Sequence, residues 1–84
     1  MLTIGFMDMT PSQLRAFHLV AEAGSFSAAA RDSGLSQPNL SGQVTALEKA
    51  YGVRLFDRRG RQVVPTETGR QLQGITARLF AVQD

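Results

Sequence analysis

The most constraining feature of this chain is a stretch of small residues that is followed by a glycine and then by a new helix start. Ala29 and Ala30 fall on a short helical pattern, Gly34 lies four residues after Ala30, and Ser36 can cap another helix. Small side chains let two helices approach closely, and a short turn containing glycine joins helices at a steep angle. The spacing therefore predicts a helix-turn-helix unit.

Helix start and stop signals extend this unit towards the amino terminus. Thr10 can cap a first helix, Pro11 suits the first helical position, and Gln13 stands where a capping box needs glutamine or glutamate. Gly24 ends this helix and Ser25 can cap the second one. We therefore predict two helices before the turn and a third helix after it.

The third helix combines an apolar face with a polar face that carries almost no charge. Its apolar positions follow the helical repeat, and they are Leu40, Val44, Leu47 and Tyr51. Its opposite face carries amides and hydroxyls, namely those of Gln37, Asn39, Ser41, Gln43 and Thr45. Gln and Asn pair with adenine through two hydrogen bonds, and Ser or Thr can bond several bases. This face is predicted to read base edges in a DNA major groove.

The hydrophobic period changes to two after the third helix, which predicts a β-hairpin. Residues 53–58 alternate, Val63 and Val64 form a second β-prone run, and a turn containing Gly60 separates the two runs. Four arginines surround the single acid Asp57, for a net charge of +3 over eight residues, and they are Arg54, Arg58, Arg59 and Arg61. Arginine donates paired hydrogen bonds to phosphate, so this wing is predicted to contact the DNA backbone or a minor groove.

A last helix is predicted from Thr66 onwards, with a seam of apolar residues spaced three, four and three apart. The seam consists of Leu72, Ile75, Leu79 and Val82. We expect it to face the same helix of a second copy, although it can also pack on the body of its own chain. Phe80 lies off the seam and is expected to pack within the domain.

These patterns predict a mainly α fold, a winged helix-turn-helix with a three-helix core, a two-stranded wing and a C-terminal linker helix. Residues 1–9 are expected to be a flexible extension, residues 10–65 the winged domain, and residues 66–84 a dimerisation helix that is cut before a further domain. Residues 1–9 lack the basic start and cleavage site of a signal peptide.

Composition argues against catalytic and membrane functions. The chain has no cysteine and a single histidine, His18, so we expect neither a metal site nor a catalytic residue, and no enzyme. We expect His18 and the aromatic residues to be structural. No apolar run approaches the roughly 18–20 residues of a membrane span, and we expect a cytoplasmic protein without a membrane partner.

Two simpler interpretations remain beside the nucleic-acid hypothesis. A polar helix face is usually only solvated surface, and an arginine-rich turn is often only a solvated loop. The alternative function is a winged-helix module that binds protein, dimerises through its last helix and does not touch DNA. The three wing arginines Arg58, Arg59 and Arg61 favour DNA, because a protein-binding wing has no need of all three.

With these elements in place, the chain resembles the N-terminal DNA-binding domain of the LysR-type transcriptional regulators. The resemblance rests on motifs that occur in order, which are QLRAF at 13–17, AGSFSAAA at 23–30, SQPNLS at 36–41, LE at 47–48, GVRLFDR at 52–58, Arg61, and PTETG at 65–69. Each motif alone is weakly specific, but the set at these spacings is highly specific.

The resemblance implies a dimer on a pseudo-palindromic operator in double-stranded DNA, and a separate C-terminal domain that binds a small-molecule co-inducer. No cofactor is expected in this chain, and contact with RNA polymerase would involve the full-length protein. The family's contacts map onto Gln37, Pro38, Asn39, Ser41 and Gln43 in the third helix, to which we add Ser36 and Thr45, and onto Ser27, Arg58 and Arg61 for the backbone or minor groove. Gly42 departs from the family, since many relatives carry an arginine there.

Overall fold

Four helices and one two-stranded antiparallel sheet follow one another in the predicted order in the computed structural model, which describes residues 9–81. The elements are α1 (Pro11–Ala23), α2 (Phe26–Ser33), α3 (Gln37–Tyr51), β1 (Phe56–Arg59), β2 (Gln62–Pro65) and α4 (Glu67–Ala81). The mainly α, winged helix-turn-helix prediction is confirmed. The expectation of a flexible extension falls on residues 1–8, outside the described residues.

Each helix starts at the side chain that the sequence predicts as its cap. The Thr10 hydroxyl accepts a hydrogen bond from the Gln13 N–H at 3.1 Å, and the Gln13 side chain accepts one from the Thr10 N–H at 3.2 Å. Ser25, Ser36 and Thr66 each accept from the backbone N–H three residues later, at 3.0 to 3.1 Å. These bonds satisfy donors that a helix start leaves open, so local chemistry fixes where each helix begins.

The turn between α2 and α3 is built from two local features. Gly34 has φ of +78°, a left-handed conformation that a residue with a Cβ rarely adopts, and its N–H donates to the Ala30 carbonyl at 3.0 Å. The Ser33 hydroxyl accepts from the Leu35 N–H at 3.1 Å. The chain therefore changes direction between α2 and α3 within a few residues, and the predicted helix-turn-helix is confirmed.

The core lies among α1, α2 and α3 and is closed by aromatic rings from three elements. Phe17 of α1 stacks on Phe56 of β1 with ring centroids 5.1 Å apart, and Phe26 of α2 meets Phe56 edge-on at 6.3 Å. All three rings are buried, and Tyr51 packs half-buried against the same cluster. Their predicted structural roles are confirmed. Met9 is 6% exposed and belongs to this core, so its placement in the flexible extension was wrong.

The first strand of the wing starts three residues later than the alternating pattern predicts. The Val53 N–H donates to the Glu48 carbonyl at 3.1 Å, and the Leu55 N–H donates to the Glu48 carboxylate at 2.7 Å. Val53 and Leu55 therefore use their backbone donors on α3 rather than on a neighbouring strand. The β ladder begins at Phe56, which pairs with Pro65.

The ladder also runs further towards the hairpin tip than predicted. Its last pair is Arg59 with Gln62, so the turn comprises only Gly60 and Arg61 instead of residues 58–61. Gly60 has φ of +63°, and glycine is the residue favoured at the first central position of a two-residue loop when that position has a positive φ. Arg58 and Arg59 consequently stand on a short, regular ribbon, and Arg61 lies in its tight turn.

One face of α4 is rooted in the body of the domain as far as Phe80. Thr76 is fully buried, and its hydroxyl lies 3.3 Å from Nδ1 of His18 on α1. The His18 ring also packs against Phe80, with centroids 4.9 Å apart. The structural role predicted for His18 and the packing of Phe80 within the domain are both confirmed.

The predicted dimerisation seam on α4 needs one correction. Leu72 is 1% exposed and lies in the core of its own chain, so it cannot contact a partner. Heptad spacing does not distinguish a helix that packs on its own body from one that packs on a second copy. Ile75 is half-buried, Leu79 is 45% exposed, and Val82 lies outside the described residues.

Candidate nucleic-acid interface

The polar face of α3 lies on the outside of the molecule, as the nucleic-acid hypothesis requires. Leu40, Val44 and Leu47 are buried and turn the opposite face of the helix towards solvent. The exposed residues of that face are Ser36, Gln37, Pro38, Asn39 and Thr45, and Ser41 and Gln43 are half-buried. The Ser36 hydroxyl already accepts from the Asn39 N–H at 3.1 Å, so Ser36 chiefly sets the start of the helix.

The amino-terminal end of α3 favours a negatively charged or hydrogen-bonding ligand. The first turn carries no acidic residue, and Pro38 occupies it without loss of a helical hydrogen bond. Backbone N–H groups and the helix dipole give such an end a partial positive charge. Neutral amides on this turn can therefore approach the edges of bases while the helix end faces phosphate.

The cations of the wing differ in their surroundings. Arg54 lies 3.6 Å from the Asp57 carboxylate, and both side chains are largely exposed. Arg58, Arg59 and Arg61 are exposed and keep the hairpin positively charged. Exposed ion pairs contribute little to stability, so the fold does not depend on the positive charge of the hairpin. That charge is available to bind a ligand.

An open groove of about 390 Å³ brings α3 and the wing together on one side of the molecule. Its floor is apolar and comes from Phe26, Val44 and Phe56, and its rim carries Thr45, Glu48, Lys49, Arg54 and Arg58. Thr45 belongs to the predicted base-reading face and Arg58 to the predicted backbone-contacting wing. The two predicted surfaces therefore share one edge instead of facing opposite directions.

Ser27 lies at the start of α2, exposed, with its hydroxyl 3.5 Å from that of Ser25. Ser25 is occupied as the cap, since its hydroxyl accepts from the Ala28 N–H at 3.0 Å. The Ser27 hydroxyl is therefore the second, exposed hydroxyl at this helix end, next to the one that caps it. Its role as a phosphate contact stays a prediction.

Gly42 leaves a gap in the middle of the polar face of α3. An added Cβ at this position would meet no atom within 4 Å, so packing does not require glycine here. The first atom of an arginine side chain would fit without rearrangement. Its absence leaves the neighbouring side chains, Gln43 and Thr45 among them, as the available hydrogen-bonding groups in this part of the helix.

Two residues contribute to this surface in ways that the sequence does not show. Glu48 ties the base of the wing to α3 through the Leu55 N–H, and Phe26 places its ring 5.1 Å from the guanidinium carbon of Arg58. Phe26 and Arg58 are 32 positions apart in the chain. No local spacing rule covers such a separation, and only the fold brings the partners together.

Within residues 9–81, no three histidine or acidic side chains come close enough to hold a metal ion. None of the helices in that described part is both long and apolar enough to cross a membrane.

Three packed helices, a polar outward-facing third helix and a cationic two-stranded wing define the winged helix-turn-helix class. Residues 11–70 match the family model of the bacterial regulatory helix-turn-helix proteins of the lysR family. The chain belongs to this family, and the resemblance seen in its motifs is confirmed.

Curated relatives of the chain are transcription regulators. An HTH-type transcriptional regulator from the ibpB–leuC intergenic region of Azotobacter vinelandii is 47% identical over 76 residues, which are 90% of this chain and 51% of that protein. The RuBisCO operon transcriptional regulator of Allochromatium vinosum is 47% identical over 66 residues, which are 79% of this chain and 22% of that protein. The chain thus spans about half or less of the length of these relatives.

Solved structures of the same fold include complexes with DNA. The CbnR DNA-binding domain in complex with DNA is 37% identical with a TM-score of 0.74, covering 84% of this chain and 82% of that one. The BenM DNA-binding domain with benA site 1 DNA is 35% identical with a TM-score of 0.76, covering 86% and 84%. Oxidized OxyR of Corynebacterium glutamicum is 34% identical with a TM-score of 0.80, covering 94% and 26%.

Proposed function

We propose that this chain is the DNA-reading part of a bacterial transcription regulator and binds double-stranded DNA with sequence specificity. The observation that carries the proposal is the exposed, nearly uncharged amide and hydroxyl face of α3, which shares a groove with the cationic wing. Neutral hydrogen-bonding groups suit base edges, and arginines suit phosphates. The arrangement separates the two tasks, with α3 in the major groove and the wing along the backbone.

The similar proteins support this proposal and favour a regulator over an enzyme. The CbnR and BenM domains were both crystallised with DNA, and the Allochromatium vinosum relative is a transcriptional regulator. A bacterial regulator of genes acts in the cytoplasm, and we place this chain there. The relatives are longer than the chain, which supports a further domain that senses a small molecule and a full-length protein that contacts RNA polymerase.

We further propose that the protein acts as a dimer on a pseudo-palindromic operator, joined through the part of α4 that its own body does not cover. Leu79 is 45% exposed and Ile75 half-buried on that part of the helix. Two copies related by a two-fold axis would place their α3 helices in major grooves about 34–36 Å apart, or a multiple of that distance.

Substitutions on α3 and on the wing are expected to affect DNA binding differently. Gln37→Ala or Asn39→Ala should lose about 1–3 kcal/mol of discrimination at one position of the half-site, because each removes a base contact. Arg58→Ala or Arg61→Ala should weaken binding to all sequences and reduce the salt slope by about 0.9 per lost phosphate contact. Selection of sites from a random DNA pool, followed by affinity titration at several salt concentrations, measures both effects.

The proposal fails if the four variants behave alike, or if the chain binds no genomic fragment in a gel shift at low salt. The second result would instead favour a module that binds protein. Arg78→Ala serves as a control and should change neither measurement, since it removes an exposed cation of α4 that lies outside the groove.

The dimer proposal predicts that Leu79→Arg yields a monomer. A charged side chain at the centre of an apolar helix interface remains unpaired there, and its burial is unfavourable. Sedimentation equilibrium of the 84-residue chain should show a dimer for the unmodified sequence and for Arg78→Ala, and a monomer for Leu79→Arg. A dimer that persists in Leu79→Arg would exclude this face of α4 as the interface.

A further inference from the structure

Arg58 is distinguished from the other wing arginines by an aromatic partner. Its guanidinium carbon lies 5.1 Å from the centroid of the Phe26 ring, within the range of a cation–π contact. The ring itself is fixed, because Phe26 is 6% exposed and meets Phe56 edge-on at 6.3 Å. Within residues 9–81, neither Arg59 nor Arg61 has a ring or an ion-pair partner.

The register of the wing explains why Arg58 alone reaches this ring. Alternate residues of a strand share a face, so Arg58 lies on the same face as Phe56, which is buried. Its partner across the ladder, Val63, is buried as well. The stem of Arg58 therefore starts on the inner face of the hairpin and leads into the groove beside α3, whereas Arg59 starts on the outer face.

The groove has the chemistry of a sugar–phosphate backbone site. On its floor, Val44 and Phe56 suit the apolar face of a deoxyribose, and the cations on its rim suit a phosphate. The acid that lines it, Glu48, directs a carboxylate oxygen at the Leu55 N–H at 2.7 Å. A backbone strand that follows α3 out of the major groove would pass over this opening.

We propose that Phe26 is a positioning residue that holds the Arg58 guanidinium over its ring, ready to contact one backbone phosphate of bound DNA. This inference rests on the proposed DNA-binding function. An unrestrained arginine loses rotamer freedom when it binds, and a side chain already held in place loses less. Phe26 thereby strengthens a DNA contact without touching DNA, and it directs Arg58 to a backbone phosphate rather than into a minor groove.

A double-mutant cycle tests the coupling between the two side chains. Phe26→Leu in the 84-residue chain should weaken affinity for a duplex of the selected half-site by about two- to fivefold, the size expected of an exposed cation–π contact. In the Arg58→Ala background the same substitution should have no further effect. Phe17→Leu makes the same chemical change in the core and should leave affinity unchanged once far-UV circular dichroism shows that the variant is folded.

A purely structural role for Phe26 would give equal losses in both backgrounds, and that result would overturn the inference. A scan of the duplex with single neutral methylphosphonates identifies the phosphate: one substitution should weaken the unmodified chain but not Arg58→Ala. If no position behaves in this way, Arg58 does not contact a backbone phosphate and the inference fails. If the unmodified chain does not bind the duplex at all, the proposed function fails first.

A measurement on the free protein keeps the inference testable even if Phe26→Leu does not fold. The NMR order parameter of the Nε–Hε bond should be higher for Arg58 than for Arg59 and Arg61. Equal order parameters for the three arginines would show that the ring does not hold Arg58.

Discussion

Replacing Gly69 with alanine is expected to lower the free energy of unfolding by about 3 kcal/mol or more. An added Cβ would overlap the backbone carbonyl oxygen of Leu55 and press on the Cβ of Pro65 at 3.2 Å. A backbone carbonyl cannot swing aside as the end of a side chain does, so the first turn of α4 would have to move. A domain of this size has a total stability of about 4–13 kcal/mol, which makes the expected loss a large fraction of it.

Gly74 provides the matched control within the same helix. A Cβ at this position meets no atom within 4 Å, and the residue is exposed. Gly74→Ala should therefore stabilise the protein by about 0.5–1 kcal/mol, because alanine favours a helix interior. Urea unfolding of both variants at 25 °C gives the two values. Equal changes in the two variants would mean that the contact of Gly69 with Leu55 does not constrain the fold.

Glu48→Ala is expected to lower the free energy of unfolding by about 2 kcal/mol. The Leu55 N–H, which belongs to a residue only 1% exposed, donates to the Glu48 carboxylate at 2.7 Å. Removing the acceptor leaves this donor without a partner and away from water, which is more unfavourable than the loss of an exposed hydrogen bond. The residues that lead into the wing would lose one of their attachments to α3.

Glu48→Gln separates the hydrogen bond from the charge. Its amide oxygen can still accept from the Leu55 N–H, so we expect a loss of stability smaller than half that of Glu48→Ala, measured by the same urea unfolding. Lys49→Ala, on the exposed side of the same turn, should change the stability by less than about 0.5 kcal/mol. A Glu48→Ala variant as stable as Lys49→Ala would show that water replaces the carboxylate.

Helix boundaries in this protein follow from the sequence because the signals that set them are local. Thr10, Ser25, Ser36 and Thr66 each bond a backbone donor three residues away. No tertiary contact is needed to form such a bond, and the side chain that makes it can be identified by type and position. The polar face of α3 was predictable for the same reason, since a helical repeat determines which side chains lie opposite the apolar stripe.

The parts that sequence reasoning missed depend on contacts that the helix and strand periods of the sequence do not encode. The start of β1 shifted because Glu48 captures the donors of Val53 and Leu55 before they can join a ladder. Leu72 continues a regular apolar seam in the sequence, and only the packing of α4 on the body shows that it lies inside. Neither effect follows from the period of the hydrophobic pattern, which was the basis of both predictions.

In the proposed dimer, the firm attachment of α4 to the winged domain would limit the half-site spacings that the protein can accept. Leu72 and Thr76 are 1% and 0% exposed, so α4 is packed against its winged domain and no flexible linker separates the two. In a dimer joined through two such helices, the distance between the winged domains would be fixed by the helix length, at a rise of about 1.5 Å per residue. A promoter with its half-sites at any other spacing would have to bend to be occupied, and its stiffness would then contribute to the choice of target.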